Sequence, residues 1–235
     1  MKRIHIVGRD LEKVKGMKED LEVLGFNYVE ENPDLVITYG GDGMFLIAER
    51  MFPHVPKISI KDSEVGNKCC DLDLKEVLKK YSSGDFEVEE IHKLKAVHRG
   101  RFETRELIGV NDIVVRNSLP TEAIRFNISI GGNILREFVG DGVVISTPYG
   151  SRGYFSSITK RNFDEGIGVA FNNVTKLHEP LVLSKDEKIE IEIVRGPAVL
   201  VADNNRDFIS LENGDKIVVE QIDEVARRVV LNDKD

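Results

Sequence analysis

The chain has no tryptophan, only two cysteines and a single glutamine, and it contains no apolar run long enough to cross a bilayer. Its most continuous apolar stretches, such as Pro197 to Ala202, fall far short of the ~20 residues of a membrane-spanning helix. Met1-Lys2-Arg3 precedes an apolar segment, but Ile4 to Val7 includes His5 and is shorter than the ~7 to 15 residue core of a signal peptide. Basic charge is also scarce: 33 Lys and Arg stand against 41 Asp and Glu, a net charge of -8. Nucleic acids and anionic membrane surfaces need a basic footprint, so neither is an expected partner. Cys69 and Cys70 are adjacent and close no loop, which points to reduced thiols and a cytoplasmic protein. Small buried side chains explain such a pair more readily than a redox switch. The five histidines show no paired metal-ligand spacing, so no structural metal site is expected.

What the sequence does contain falls into two parts. Up to about residue 90, short apolar runs alternate with helical spacing. Ile4 to Val7 reads as a strand, Leu11, Val14, Met17, Leu21 and Leu24 as a helix face, and Leu35 to Thr38 as a second strand. A helix is predicted after Gly43, a strand at Lys57 to Ile60, and a helix from about Asp73 to Tyr81. Strands joined by crossover helices form a parallel sheet, with the ligand crevice beyond its carboxyl ends. From about residue 90 the period becomes two, with Ile124, Phe126, Ile128 and Ile130 on one face and Ile189, Ile191 and Ile193 alternating with glutamates. The predicted fold is therefore an α/β domain with a parallel sheet over 1–90, followed by a β-rich, β-sandwich-like domain over 91–235. A return of the last residues to the first domain is compatible with this pattern. Gly131-Gly132 and Asn204-Asn205 fit tight hairpins, and Asn213-Gly214 is a further turn.

Two glycine-rich turns carry chemistry. Leu35 to Thr38 runs into Tyr39-Gly40-Gly41-Asp42-Gly43 and then a helix, where glycines allow close backbone approach and free helix amides favour an anion. The turn lacks the Lys and Ser/Thr of a Walker A loop and the spacing of a dinucleotide fingerprint. Asp42 either serves the ligand, by binding a metal ion or taking a proton from an attacking hydroxyl, or caps the next helix, and local sequence weighs these two readings about equally. The second turn is Gly140-Asp141-Gly142, the strand Val143 to Ser146, and Thr147-Pro148-Tyr149-Gly150-Ser151-Arg152-Gly153-Tyr154. The hydroxyls of Ser146, Thr147 and Ser151 can meet a polar ligand or cap a helix, and Arg152 offers a planar cation suited to phosphate. Alone, this segment reads more readily as an ordinary strand-to-helix corner.

Together, Gly-Gly-Asp-Gly at Gly40 to Gly43, Asn111-Asp112 leading the strand Ile113 to Val115, and Asp141 to Pro148 with Gly150-Ser151 closely resemble the NAD kinase family. The resemblance spans roughly residues 35 to 231. It implies a kinase that moves the terminal phosphate of ATP, or of polyphosphate, to the 2′-hydroxyl of the adenosine ribose of NAD, with magnesium on the ATP. It implies Asp42 as general base, Gly41 and Gly43 as an open phosphate turn, and Asn111 and Asp112 on a ribose and the adenine. Asp141 would lie toward the nicotinamide, Tyr154 would line the dinucleotide pocket, and Asn205 would sit close to the substrate. Tyr149, Arg152, Gly153 and Ser157 complete the expected nucleotide-binding set. A homodimer or homotetramer is also implied.

The chain departs from the family pattern in three places. Met44 stands where Thr commonly follows Gly-Gly-Asp-Gly. Tyr149-Gly150-Ser151-Arg152-Gly153-Tyr154 replaces Thr-Gly-Ser-Thr-Ala-Tyr, and Ser59 to Asn67 stands in place of a Gly-x-Leu-Gly-Phe-Leu segment. A catalytically silent NAD(P)-binding sensor of the same fold, or a kinase for another nucleotide, a polyol or a lipid, are the alternatives.

Overall fold

The computed structural model describes residues 2–62, 68–101 and 103–232. Residues 63–67, part of the segment that replaces Gly-x-Leu-Gly-Phe-Leu, lie outside the described residues. Two compact units emerge, one formed by residues up to Ile91 with those from Val225 onward, the other by His92–Glu224.

The first unit is α/β. Its elements are β1 (Arg3–Gly8), α1 (Leu11–Val23), β2 (Asn27–Tyr28), β3 (Leu35–Tyr39), α2 (Gly43–Met51), β4 (Lys57–Ile60), α3 (Leu74–Ser83) and the start of β5 (Phe86–Arg99). The strands run parallel in the order β2-β1-β3-β4, and Arg228 of the last strand pairs in parallel with Lys57. Side chains alternate across a strand, which assigns each helix to a face. Ile4, Ile6, Leu35, Ile37 and Ile58 pack with Val14 and Leu21 of α1 and with Val77, Leu78 and Tyr81 of α3. Val7 and Val36 point the other way, against Met44 and Ala48 of α2. Each fully buried Leu or Ile contributes roughly 1.5–3 kcal/mol, and a sheet covered on both faces explains the unbroken apolar runs of its strands.

Helix ends follow local chemistry. Asp10 caps α1 by accepting the amides of Glu12 and Lys13, both at 3.1 Å. Asp73 caps α3 through Glu76 N at 2.8 Å, and Gly84 closes it at φ 76°. Leu11, placed on the apolar face by its spacing, is 77% exposed because it opens the helix directly after the cap. Beneath α2, the fully buried Lys57 ammonium pairs with Glu49 and donates to the carbonyls of Phe52 (2.8 Å) and Val55 (2.6 Å).

The second unit is a two-layer β structure with one short helix. It contains β6 (Thr104–Gly109), β7 (Asp112–Asn117), β8 (Ile124–Ile130), β9 (Asn133–Gly140), β10 (Gly142–Ser146) and a single 3-10 turn (Gly150–Arg152). Then come α4 (Tyr154–Thr159), β11 (Ile167–Asn172), β12 (Leu181–Leu183), β13 (Ile189–Arg195), β14 (Ala198–Ala202), β15 (Ile209–Leu211) and β16 (Lys216–Leu231). One layer orders β16-β13-β8-β9 antiparallel, with β5 and β6 joined through β16. The other orders β12-β11-β10-β7-β14-β15, also antiparallel. Their shared core includes Phe126, Ile128, Ile189 and Ile191 from the first layer and Ile113, Val115, Val143 and Ile145 from the second. The outer face of the second layer, at Val114, Val144 and Ala170, is covered by Phe155 of α4.

Gly131-Gly132 forms the expected two-residue hairpin, with Ile130 opposite Asn133 and φ values of 55° and 81°. Asn204-Asn205 does not. It lies within the longer connection from Ala202 to Ile209, where the left-handed residue is Asp203, at φ 53°. The reason is that the Asp203 side chain is engaged with the start of β7, which draws the chain away from a tight reversal.

Candidate functional site

Asp42 sits just past the carboxyl end of β3. The chain leaves Tyr39 through Gly40, whose φ of 144° is open to glycine and whose amide donates to Ile60 O at 3.0 Å. A Cβ on Gly40 would come within 2.7 Å of Met44 Cγ. Asp42 occupies the N-cap position of α2, yet its side chain makes no capping bond. Its Oδ1 instead accepts the amide of Lys68 at 3.1 Å and the thiol of Cys69 at 3.5 Å. Among the described residues, Oδ2 accepts no hydrogen bond. Of the two readings of Asp42, the helix cap is therefore not the one adopted. Gly41 and Gly43 flank it, and Met44, 4% exposed, packs into the α2 core, so the residue in place of Thr serves the interior.

The loop that meets Asp42 is itself held. Arg228 donates from Nη2 to Lys68 O at 2.8 Å and from Nη1 to Glu89 at 3.0 Å. Burial, reinforced by the neighbouring Asp42 charge and its hydrogen bond, pushes the Cys69 thiol up to about 12.

In the second unit, the start of β7 meets the ends of β10 and β14. Asp112 lies opposite Ser146, and Ile113 opposite Ala202. The Asn111-Asp112 corner is gripped from two sides. Asp203 accepts the amides of Asn111 (2.7 Å) and Asp112 (3.2 Å) at Oδ1 and that of Val110 (2.9 Å) at Oδ2. From the other side Thr147 donates its amide to Asn111 O at 2.9 Å and its hydroxyl to Val110 O at 2.7 Å. Gly150 packs so closely that a Cβ would lie 2.1 Å from Asn111 O. So clamped, Asn111 keeps its side-chain Oδ1 buried with no hydrogen-bond partner among the described residues. An orphaned buried acceptor is costly unless something binds it. Asn205 lies on the same connection as Asp203, with its own Oδ1 accepting Asp207 N at 3.2 Å.

The three hydroxyls of the second glycine cluster are spent on backbone. Ser146 donates to Thr147 O at 3.0 Å, Thr147 to Val110 O, and Ser151 to Phe163 O at 3.0 Å. Asp141 and Tyr154 belong to a different end of the sheet. Asp141 precedes β10, opposite the end that carries Thr147, and accepts Asn173 Nδ2 at 3.0 Å. The Tyr154 hydroxyl accepts Asn172 Nδ2 at 3.1 Å. A strand of this length separates the two groups by roughly 16 Å at ~3.3 Å per residue, so a ligand touching both would extend along β10. Tyr149 is half-buried, Gly153 is exposed, and Ser157 is exposed with its hydroxyl donating to Tyr154 O at 2.7 Å. Arg152 is exposed, and its side chain makes no hydrogen bond or ion pair among the described residues.

Sequence reading missed Asp203, Lys68 and Cys69 as partners of the site residues. An aspartate directly after a buried strand, before Asn204-Asn205, was the available signal for Asp203. Nothing local announced Lys68 or Cys69. Among the described residues there is no group of three or more His, Cys, Asp or Glu side chains arranged to hold a metal ion, and no helix long and apolar enough to cross a membrane.

The comparisons bear on both units. The NAD kinase of Paraburkholderia phytofirmans is 31% identical over 196 residues, covering 79% of this chain and 65% of that protein. The chain thus spans a little under two thirds of that relative's length. The structure of yeast NADH kinase complexed with NADH superposes with a TM-score of 0.85 at 19% identity, covering 99% of this chain and 84% of that one. That of an NAD kinase from Archaeoglobus fulgidus in complex with ATP gives 0.79 at 21%, covering 99% and 94%. At such identities these likenesses show the fold. The model of the ATP-NAD kinase C-terminal domain matches residues 110–230, from the clamped Asn111 corner through the last strand and more than half of the chain, and the chain belongs to the NAD kinase family.

Proposed function

We propose that the protein transfers the terminal phosphate of ATP to the 2′-hydroxyl of the adenosine ribose of NAD, giving NADP and ADP. The observation that carries this reading is the state of Asp42: Oδ1 is held by two donors, while Oδ2 is left without a hydrogen bond among the described residues. A carboxylate fixed in this way can accept the hydroxyl proton as the ribose oxygen bonds to the γ-phosphorus and the bond from that phosphorus to the bridging oxygen of ADP breaks. Asn111, with its orphaned Oδ1, is assigned to the adenosine end of NAD, where a hydroxyl or an amino group would satisfy it. Asp112, Asn205, Gly153 and Ser157 complete that side. Asp141, Tyr154 and Tyr149 are assigned to the rest of the dinucleotide, and Gly41 and Gly43 to the phosphates.

Magnesium enters as part of the Mg-ATP substrate and lowers the charge of its phosphates, which matters for a protein of net charge -8. The NADH kinase and NAD kinase folds bound to NADH and ATP support these ligand classes. A cytoplasmic homodimer or homotetramer is part of the same reading. The strand β9 ends its layer and exposes Ile134 and Leu135, an edge suited to pairing.

The test is incubation of the purified protein with Mg-ATP or polyphosphate and a panel of NAD, NADH, other nucleotides, polyols and lipids. NADP formation supports the reading, and phosphorylation of another compound without NADP overturns it. Absence of transfer to every acceptor, with NAD still bound, would favour a silent sensor. Asp42→Asn keeps an acceptor for Lys68 and Cys69 but removes the base, so turnover should fall by roughly 10²–10⁴ with little change in NAD affinity.

A further inference from the structure

The Asp42 carboxylate is not positioned by its own helix. Its two donors come from a loop far along the chain, and one of them is a cysteine thiol. Cys69 Sγ is 3.5 Å from Asp42 Oδ1 and 3.5 Å from Gly40 O, so its single proton has two acceptors in reach, of which the charged carboxylate is the stronger. The peptide that carries it is anchored from behind, with Lys68 O held by Arg228 and Cys70 tied into a parallel bridge with Ile60.

We infer that Cys69 is a positioning residue for Asp42, its thiol donating to Oδ1 so that Oδ2 is the oxygen left to take the acceptor's proton. This rests on the reading of Asp42 as the base. One N–H alone fixes a carboxylate poorly, because rotation about its last side-chain bond exchanges the two oxygens. A second donor on the same oxygen removes that freedom, and holding a general base in its reactive geometry is worth rate rather than affinity.

The charge environment of the thiol suits a donor rather than a nucleophile. Among the described residues, the titratable groups that act on it are the Asp42 carboxylate, the Cys70 thiol and the Arg228 guanidinium. Burial and Asp42 keep it protonated at neutral pH, with Arg228 opposing them more weakly. Oxidation of cysteine proceeds through the thiolate, so this thiol is poorly suited to redox sensing.

Cys69→Ala and Cys69→Ser separate donor from filler, since serine still donates while alanine does not. Cys69→Ala should lower kcat by ~10-fold with KM for both substrates within ~2-fold, and Cys69→Ser should retain kcat within ~3-fold of wild type. Unchanged kcat in Cys69→Ala, or equal losses in the two variants, would overturn the inference. The kinetics use whichever acceptor wild type phosphorylates, so a different acceptor overturns the NAD assignment and leaves this comparison intact.

A second measurement needs no turnover and keeps the inference exposed if Cys69→Ala fails to fold. Iodoacetamide alkylation of Cys69, resolved from Cys70 by fragment-ion mass spectrometry, is compared at pH 8 in wild type and Asp42→Asn. Removing the neighbouring negative charge should speed alkylation at least ~5-fold through a larger thiolate fraction. Equal rates would mean that the thiol and the carboxylate are not in contact, and the positioning role falls.

Discussion

The carboxylate of Asp203 accepts the backbone amide of Asn111 at 2.7 Å, across 92 positions of sequence. Two further amides, of Val110 and Asp112, converge on the same side chain, and the Asp203 amide returns a bond to Asp112 O at 3.0 Å. The corner that presents Asn111 is therefore built by a residue that is not itself the expected ligand contact. Asp203→Asn should keep the backbone, because asparagine tolerates the left-handed φ of 53° found here. It replaces one acceptor oxygen with an amide NH2 facing backbone N–H groups. We expect a stability loss of ~1–3 kcal/mol by urea unfolding and a KM for NAD raised more than kcat is lowered. Wild-type kinetics and stability in this variant would remove Asp203 from the site.

Much of this arrangement was readable from local pattern, and the reason is physical. Leu35 to Thr38 followed by Gly40 to Gly43 specifies a buried strand, a turn with positive φ and a helix start, all set by near neighbours in the chain. The alternation of Ile189, Ile191 and Ile193 likewise assigns a face without knowledge of its partner. What stayed hidden depends on distant pairing. Asp42 looks like a helix cap until Lys68 and Cys69 are brought to it from 26 and 27 positions away. Thr147 looked available to a ligand until Val110, 37 positions back, took its hydroxyl. Asn204-Asn205 had the composition of a tight turn, but the amides that Asp203 must satisfy lie about ninety positions earlier and set the path of the connection instead.

The Arg152 side chain makes no hydrogen bond or ion pair among the described residues and is exposed, so it contributes little to folding. Arg152→Ala should change stability by less than ~0.5 kcal/mol. If its guanidinium meets a nucleotide phosphate in the ground and transition states alike, KM for that nucleotide rises ~3 to 10-fold while kcat holds. Unchanged kinetics with both nucleotides would return Arg152 to a solvated surface role.

Lys57 and Glu49 form an ion pair with neither side chain open to solvent, and the ammonium also serves the Phe52 and Val55 carbonyls. Removing one partner takes the opposite charge away from a group that is almost fully buried. Lys57→Met should therefore cost ~3–5 kcal/mol, whereas Lys57→Met combined with Glu49→Leu should recover part of that loss. Equilibrium unfolding of the two singles and the double gives the coupling directly. Additive losses would show that the two charges do not depend on each other.

Cys69 gives the folded state a pH dependence whose sign can be worked out. Its thiol is raised from an ordinary value of 9.0 to about 12, so the folded protein holds this proton more tightly than the unfolded chain does. The contribution is complete below about pH 9. It declines as pH rises from there toward 12, because the unfolded chain gains by losing a proton that the folded one retains. A serine hydroxyl does not titrate in that window. Urea midpoints measured from pH 8 to pH 11 under reducing conditions should fall more steeply for wild type than for Cys69→Ser, with Cys70 common to both. Burial raises the thiol most and the Asp42 carboxylate, its hydrogen-bond acceptor, adds to it, so Asp42→Asn should bring the wild-type slope part of the way toward that of Cys69→Ser. Parallel slopes in all three proteins would mean that the thiol titrates near its ordinary value and that Asp42 exerts no hold on it.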